Sequence, residues 1–262
     1  MRRKTTMKVA RGRLEEDRRK SEDAFEYQRV MLFILPLLMI AVLVVGVYFG
    51  FLSYQDDFVD TKEFEQSQMQ GSQFTQDEEE ILLKVVNSAN PIDKGYVPDL
   101  TTVNGVQVNK LMAADLEAML IDAQSSGLDL TLVSGYISYE EQKEMYNDAV
   151  AKHKKKNKSS TVKAEAAVKK TTPNAGECEQ QTGLLVKFSD GTKSKFSETD
   201  EFFWLQKNCV NYGFVLRYPE KENTGGLSYS PQLYRYVGKE YALLMRSYNM
   251  NMDEFVQYIN CQ

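Results

Sequence analysis

The sequence predicts an α+β fold for the C-terminal part of the chain, in which short strands and helices alternate. Hydrophobic residues make up 42% of the sequence and aromatic residues 11%, a composition typical of a folded globular protein. Some segments repeat apolar residues at helical spacing, and others are short runs of β-branched and aromatic residues. We therefore expect a single domain over residues 81–262, with a small, mainly antiparallel sheet and flanking helices, after one N-terminal transmembrane helix.

The N-terminal part of the chain is predicted to be a membrane anchor. Residues 30–52 contain no charged residue, and an apolar helix of about 20 residues crosses the hydrocarbon core of a bilayer. A cleaved signal peptide would have a shorter apolar region and small residues at its end, which the following GFLSYQDDF does not provide. Residues 1–29 are rich in Arg and Lys, so they are predicted to form a cytoplasmic basic tail, with the C-terminal domain outside the cell.

Residues 53–80 are predicted to be a stalk, because they are polar and show no apolar periodicity. The expected localisation is the outer face of a bacterial cytoplasmic membrane, in a single-pass protein. Asp and Glu number 37 against 32 Lys and Arg, which argues against general nucleic-acid binding. Three cysteines are too few for a disulfide scaffold, and any bridge among Cys178, Cys209 and Cys261 stays open.

The first half of the domain is predicted to contain two helices and a strand between them. In VNKLMAADLEAMLIDAQSSG the helical spacing predicts five core residues: Leu111, Leu116, Met119, Leu120 and Ala123. Gly127 is expected to end this helix. LDLTLVSGY predicts a short strand, and SYEEQKEMYNDAVAKHKKK predicts a helix with Ser138 as its N-cap. Residues 152–170 carry eight lysines and one glutamate, and we expect them to form a solvated surface excursion.

The second half is predicted to be richer in strands. GLLVKFSDGTKSKFS indicates two strands joined by a hairpin turn at Ser-Asp-Gly. SETDEFFWLQKNCVNYG indicates a capped amphipathic helix that ends at Gly213, and FVLRYP indicates a strand. PQLYRYVGKEYALLMRSYN is expected to be a strand followed by a helix.

Four stretches, in this order, resemble the VanY-type D-alanyl-D-alanine carboxypeptidases, a family of zinc peptidases that trim cell-wall peptides. VNSANPIDKGYVPDL (residues 86–100) resembles N-x-x-N-P-L-P-x-x-Y-x-P-x-L, and SGYISYEEQ (134–142) resembles S-G-Y-R-S-Y-x-x-Q. PNAGECEQQTGLLVKF (173–188) resembles P-G-x-S-E-H-Q-T-G-L-A-V-D. Residues 204–238 resemble W-L-x-x-N-x-x-x-Y-G-F-x-x-R-Y-P followed by T-G-Y-x-Y-E-P-W-H-Y-R-Y-V-G. The resemblance covers nearly all of residues 81–260 and implies the carboxypeptidase fold.

The resemblance also implies where the family's catalytic residues would lie. In the family, two His and one Asp hold zinc, and a Glu acts as general base. The matching ligand positions in this chain are Gln180, Lys187 and Leu233, and the base position is Ser230. The Arg that stabilises developing negative charge in the family is replaced by Ile137.

These replacements predict a site without zinc and without the family's catalytic residues. A catalytic zinc needs neutral imidazole or carboxylate ligands and one position open for water. Leu233 has no donor atom, Gln180 is a poor ligand, and Lys187 places an ammonium group where the cation would lie. Without a metal, nothing lowers the pKa of the attacking water from about 15.7 towards 7. The only histidine, His153, lies in the lysine-rich segment and cannot replace two ligands.

We therefore expect a pseudoenzyme that binds peptidoglycan stem peptides or another cell-wall synthesis protein. Lys187 and Gln180 would hold a peptide carboxylate or carbonyl. The predicted ligand groove comprises Tyr136, Ser138, Gln142, Gln180, Lys187 and Ser230. Other retained motif residues, including Arg217, Tyr218 and Arg235, are interpreted as scaffold residues.

Two other functions stay open at this point. The first is an active D,D-carboxypeptidase that cleaves stem peptides through a non-standard site. Its nucleophile would be Ser230 activated by Lys187, or Cys178, and a weak cation site at Glu177 and Glu179 is a further form of this idea. The second is a purely structural scaffold that binds a partner through the lysine-rich segment.

Overall fold

The structure is a computed structural model that describes residues 74–192, 195–220 and 227–261, together with the single residue Val45. Apart from Val45, the predicted basic tail and transmembrane helix lie outside the described residues, as does the stalk before Phe74. None of the helices in the described ranges has both the length and the hydropathy needed to span a bilayer.

The described chain from Phe74 onward alternates helices and short strands, in the order α1, β1, β2, α2, β3, α3, α4, β4, α5, β5, β6, α6, α7. The helices are α1 (Gln76–Leu83), α2 (Lys110–Ser125), α3 (Tyr139–Asn157), α4 (Thr161–Val168), α5 (Asp200–Asn208), α6 (Lys239–Ser247) and α7 (Met252–Asn260). The strands are β1 (Leu100–Val103), β2 (Val106–Asn109), β3 (Thr131–Ser134), β4 (Leu185–Ser189), β5 (Phe214–Tyr218) and β6 (Ser230–Tyr236). Short 3₁₀ turns cover Glu179–Thr182, Phe196–Glu198 and Cys209–Tyr212.

Among the described residues, all the strand pairs are antiparallel, and they form two sheets. One sheet is the hairpin β1–β2, and the other has four strands in the order β3-β4-β6-β5. The predicted α+β domain, with small antiparallel sheets and flanking helices, is confirmed.

One hydrophobic core joins the larger sheet to α2, α6 and α7. Val186 and Phe188 from β4 meet Met245 of α6 and Phe255 of α7 in this core, and all four are buried. Burying an aliphatic or aromatic side chain contributes about 1.5–3 kcal/mol, so these contacts between the sheet and the helices stabilise the domain. In α2 four of the five predicted core residues are buried, whereas Leu111 is only partly buried and Met112 is fully buried.

The folded domain begins earlier than the predicted boundary at residue 81. Helix α1 starts at Gln76, because Thr75 and Glu78 form a reciprocal capping box at its N-terminus. Leu82 of α1 is fully buried, and Phe74 packs against the core. The predicted domain boundary at residue 81 was wrong because the first turns of this helix are polar and show no apolar periodicity.

The hairpin β1–β2 was not predicted, although its turn sequence is a strong signal. Asn104 and Gly105 have φ values of 46° and 80°. A two-residue hairpin turn with positive φ at both positions is the turn that Asn-Gly favours. Val103 and Val108, on either side of the turn, are buried in the core.

The predicted hairpin at Ser-Asp-Gly is wrong. Strand β4 ends at Ser189, and its partners are β3 and β6 rather than the segment that follows the turn. The described residues of that segment include the 3₁₀ turn Phe196–Glu198, in which Phe196 is buried. Helix α5 is capped by Thr199 but ends at Asn208, earlier than predicted, and a 3₁₀ turn over Cys209–Tyr212 continues to Gly213.

The lysines of residues 152–170 are exposed, as predicted, but most of this segment is helical. Helix α3 continues to Asn157, and α4 packs back against it. The two helices share a small cluster of four buried residues: Tyr146, Val150, Ala164 and Val168. We call this unit, residues 139–168, the helical hairpin.

Gly135 lies at a close approach between the two sheets. The backbone amide of Tyr136 donates a hydrogen bond to the carbonyl oxygen of Gln107 on β2, at 2.7 Å. A Cβ atom on Gly135 would lie 2.4 Å from that same oxygen, which is far inside van der Waals contact. The motif glycine therefore allows β3 to approach β2.

Substituting Gly135 by Ala is expected to lower the free energy of unfolding by about 1–3 kcal/mol, because backbone atoms would have to move. The second of the two compact units of the chain begins at Asp60. Urea unfolding of a fragment that starts at this residue measures the effect. Gly95→Ala is the control, because a Cβ atom there meets no atom within 4 Å. Equal unfolding midpoints for the two variants would show that the close approach is not real.

Candidate functional site

Three strands place Ser134, Lys187 and Leu233 in one row across the sheet. Lys187 on β4 is the cross-strand partner of Ser134 on β3 and of Leu233 on β6. Directly opposed residues on neighbouring strands have Cβ atoms about 4.5–5.5 Å apart on the same face. All three residues are half-buried. The row therefore brings two of the three predicted ligand positions into contact distance of each other.

The 3₁₀ turn Glu179–Thr182 places Gln180 beside this row. The side-chain amide nitrogen of Gln180 donates to the hydroxyl of Ser134 and to the carbonyl oxygen of Gly135, both at 3.1 Å. The backbone amide of Ile137 donates to the carbonyl oxygen of Gln180 at 3.4 Å. Gln180 and Ile137 thus adjoin the same end of β3. We call Gln180, Lys187 and Leu233, with their neighbours Ser134 and Ile137, the site row.

Ser230 lies at the start of β6 and pairs with Tyr218 of β5. The register of β5 and β6 shifts between this pair and the pair formed by Leu216 and Tyr234. Within the described residues, no hydrogen bond joins Ser230 to Lys187. The alternative of a Ser–Lys nucleophile pair therefore has no support from the geometry.

The other predicted groove residues make local structural contacts. Ser138 caps α3, and its hydroxyl and the carboxylate of Glu141 share a hydrogen bond at 2.6 Å. Gln142 is buried, and its side-chain amide donates to the carbonyl oxygen of Pro173 at 2.6 Å. Tyr136 is half-buried, and burial raises the pKa of its phenol. A ligand contact at these three residues stays a prediction.

A buried ion network lies on the same face of the sheet as the site row. Glu179 is fully buried, and its two carboxylate oxygens accept hydrogen bonds from Nε of Arg217 at 2.9 and 2.8 Å. The terminal nitrogens of Arg217 donate to Asp253 of α7 at 2.6 and 3.1 Å. Arg235, also buried, donates to Thr182 at 2.7 Å and lies 3.8 Å from Glu179. Two arginines thus face two carboxylates.

This network decides between two interpretations of Glu179. The negative charge of Glu179 is already neutralised by two guanidinium groups, which would also repel a metal cation. The cation site suggested for Glu177 and Glu179 is therefore wrong. Glu177 instead forms an ion pair with Lys169 at 3.5 Å. Sequence reasoning missed Asp253 entirely. The available signal was an Arg within each of two apolar strands, because a buried Arg needs a carboxylate partner.

Lys187 differs from the buried arginines because it forms no ion pair with any residue that the structure describes. Within the part of the chain that the structure describes, no carboxylate lies within ion-pair distance of its ammonium group. The side chain is half-buried and lies beside Leu233. A partly desolvated ammonium group interacts strongly with an anion that can reach it. The site row therefore offers one cation to a ligand.

Neither Cys178 nor His153 supplies a catalytic group to the site row. Cys178 is buried, and burial raises the pKa of its thiol to about 12, so it is a neutral thiol at physiological pH. Because the thiolate is the nucleophilic form, the burial of Cys178 argues against the alternative of a cysteine nucleophile. His153 lies on α3 within the helical hairpin, and its Nδ1 is 3.4 Å from the hydroxyl of Ser159.

Comparison with known proteins agrees with the resemblance, and the last three of the four stretches lie within the family-model match. A family model described as "VanY: D-alanyl-D-alanine carboxypeptidase" matches residues 105–239, which is about half of the chain. This chain belongs to the VanY family. A D-alanyl-D-alanine carboxypeptidase of Enterococcus faecalis is 34% identical to this VanY-family protein over 184 residues, which are 69% of this chain and 67% of that protein.

Solved structures give the same result. A vancomycin-resistance D,D-pentapeptidase VanY mutant in complex with Zn(II) is 31% identical, with a TM-score of 0.61, and covers 67% of this chain and 99% of its own. VanYB in complex with D-alanine-D-alanine is 31% identical, with a TM-score of 0.60, over 68% of this chain and 97% of its own. The LD-carboxypeptidase LdcB is 30% identical, with a TM-score of 0.59, over 70% of this chain and 88% of its own.

The departures from the VanY motifs lie inside the matched region, and the residues there do not fit zinc. Among the residues that the structure describes, no three or more His, Cys, Asp or Glu side chains form a group that could hold a metal ion. Leu233 offers no donor atom, and the amide nitrogen of Gln180 is engaged by β3. An ammonium group at Lys187 would repel the cation. The side chains at these three positions therefore do not supply the imidazole and carboxylate donors that a catalytic zinc needs.

Proposed function

We propose that this VanY-family protein binds peptidoglycan stem peptides without cleaving them, through the carboxylate at the end of the peptide. One observation carries the proposal. Lys187 presents a half-buried ammonium group, with no carboxylate partner among the described residues, at the position where the family motif has a metal ligand. The replacement changes the charge that this position contributes from negative to positive. A site with this charge favours an anionic ligand over a metal ion.

The solved relatives support the ligand class. VanYB was solved in complex with D-alanine-D-alanine, and the LdcB structure is described as revealing the molecular basis of peptidoglycan recognition. The retained fold and motifs make the same class of peptide the natural ligand here. An ammonium–carboxylate hydrogen bond contributes about 1.5–3 kcal/mol to such binding.

Hydrolysis has no support in the site row. We propose that the protein works without zinc, because the side chains at the three ligand positions are an amide, an ammonium group and an aliphatic group. Ser230 cannot accept a proton at neutral pH as a carboxylate does. Ile137 offers no charge to a developing oxyanion, and the loss of one such donor typically costs about 100- to 1000-fold in rate.

The proposed setting is the outer face of a bacterial cytoplasmic membrane. Residues 30–52 would anchor the chain, residues 1–29 would lie in the cytoplasm, and the domain would face the cell wall. The ligand would then be a stem peptide of the wall, or a cell-wall synthesis protein that presents a similar carboxylate.

Isothermal titration of the full chain with a peptide that ends in D-alanyl-D-alanine tests the proposal. We expect saturable binding that weakens at least about tenfold in Lys187→Ala, because a charge-assisted hydrogen bond is lost. Lys110→Ala is the matched control, since Lys110 is exposed and pairs with Asp99 away from the site row. A peptide with an amide in place of the terminal carboxylate should bind as weakly as the Lys187 variant does with the natural peptide.

Two results would contradict this proposal. Equal affinity of Lys187→Ala and the native chain would mean that the carboxylate lies elsewhere. Release of D-alanine, together with stoichiometric zinc in the purified protein, would show an active carboxypeptidase instead.

A further inference from the structure

The tip of the helical hairpin carries a dense cluster of lysines. Five of them lie within residues 152–158, at the C-terminal end of α3 and just beyond it, and Lys163 lies on α4. With a rise of 1.5 Å per residue, this part of α3 is only about 9 Å long. The Debye length at physiological ionic strength is about 8 Å, so these charges act together. All six lysines are exposed.

The charge of this cluster is not balanced by its surroundings. Among the described residues, none of these six lysines lies within ion-pair distance of a carboxylate. Glu165 is the single acidic residue in residues 152–170. The whole chain has a formal charge of −5, so the cluster is a local reversal of sign. One or two lysines in the last turn of α3 would be enough for a favourable interaction with the helix dipole. The dipole therefore does not account for a cluster of six lysines.

The shape of the cluster favours a flexible polymer over a flat membrane. Successive helical residues point 100° apart, so Lys154, Lys155 and Lys156 spread over about 200° of the helix surface. A membrane-binding helix instead places its basic residues above one apolar face. The cluster includes one exposed large apolar side chain, Val162. A chain of charges can bend around such a tip, whereas a bilayer meets only one side of it.

The C-cap of α3, at the tip, is a lysine, although the backbone conformation there favours other residues. Lys158 adopts the left-handed conformation, with φ of 48°, as the C-cap of α3. Glycine or asparagine is the usual choice at this position. Lysine therefore extends the charged tip at a conformational cost.

We propose that the helical hairpin binds a linear, phosphate-bearing polyanion through its lysine tip. The lysine ammonium group is a compact point charge that contacts phosphate oxygens without a fixed geometry. The binding would draw its affinity from counterion release and would fall steeply with salt. This surface is separate from the site row, so the inference stands whether or not a peptide binds at Lys187.

Long-chain inorganic polyphosphate is the probe, titrated against the full chain in a non-ionic detergent at low and at high salt. The tip variant replaces five lysines by Gln: Lys152, Lys155, Lys156, Lys158 and Lys163. We expect its dissociation constant at low salt to rise at least about 100-fold, and the slope of log affinity against log salt to flatten. Replacing the same lysines by Arg should preserve binding.

The matched control variant makes the same change of five charges elsewhere, at Lys94, Lys110, Lys143, Lys195 and Lys207, and should bind polyphosphate as the native chain does. Far-ultraviolet circular dichroism should show the same helix content in all variants. Equal losses in the tip and control variants would overturn the proposal, because binding would then follow net charge. The proposal would also be overturned if the native chain does not bind polyphosphate but binds phosphatidylglycerol vesicles through the tip.

Discussion

A triple substitution of Gln180→His, Lys187→Asp and Leu233→His is expected to make the protein bind one zinc ion per chain. The cross-strand pairing of positions 187 and 233 sets their Cβ atoms about 5 Å apart, which suits two ligands of a single ion. Position 180 adjoins the same row through its hydrogen bonds to β3. The fold would therefore supply the geometry, and the three side chains alone would decide whether zinc binds.

Metal content after dialysis, measured by mass spectrometry, reads out this result. The control is the double variant Gln180→His, Leu233→His, which keeps the ammonium group of Lys187 and should hold far less zinc than the triple variant. If the triple variant takes up no zinc, the three positions do not converge as the structure places them. If the native chain holds zinc equally well, the proposal of a zinc-free peptide-binding protein fails.

The resemblance to the family's motifs predicted the positions of the site but not the contacts that hold them. The positions of Gln180, Lys187 and Leu233 follow from motif order, and the structure brings them together. The sequence indicates that an Arg in an apolar strand needs a carboxylate partner, but it does not show that this partner is Asp253. The two residues lie 36 positions apart, and no local pattern links them. Phe196 was assigned to the second strand of the predicted hairpin. In the structure it lies in a 3₁₀ turn and packs in the hydrophobic core.

The beginning and end of the domain show a different limit. Helices α1 and α7 both start with a capping box, formed by Thr75 with Glu78 and by Asn251 with Glu254. These signals are readable in the sequence but weak beside polar neighbours. The tertiary contacts of Leu82 and Phe255 with the core then stabilise both helices, and a single sequence does not show those contacts.

The substitution Arg217→Met is expected to lower the free energy of unfolding by about 3–5 kcal/mol, the largest stability loss we expect from one side chain. Within the described residues, the side chain of Arg217 links the carboxylates of Glu179 and Asp253. Its removal leaves Arg235, at 3.8 Å, as the remaining ion-pair partner of the buried Glu179 among those residues. An uncompensated buried carboxylate costs several kcal/mol. Urea unfolding of the fragment that starts at Asp60 measures the loss. Lys94→Met is the control, because its ion pair with Glu140 is exposed and screened by water, so its loss should change stability little.

A double variant separates charge from packing in this network. Glu179→Leu added to Arg217→Met removes the buried carboxylate along with its partner, so it should recover part of the lost stability if stranded charge is the cause. A loss from Arg217→Met no larger than that of Lys94→Met would mean that Arg217 and Glu179 are not a buried pair. Because Glu179 precedes Gln180 in the same 3₁₀ turn, this network also holds the turn that positions Gln180 in the site row. Peptide binding should therefore weaken in Arg217→Met even where the domain stays folded.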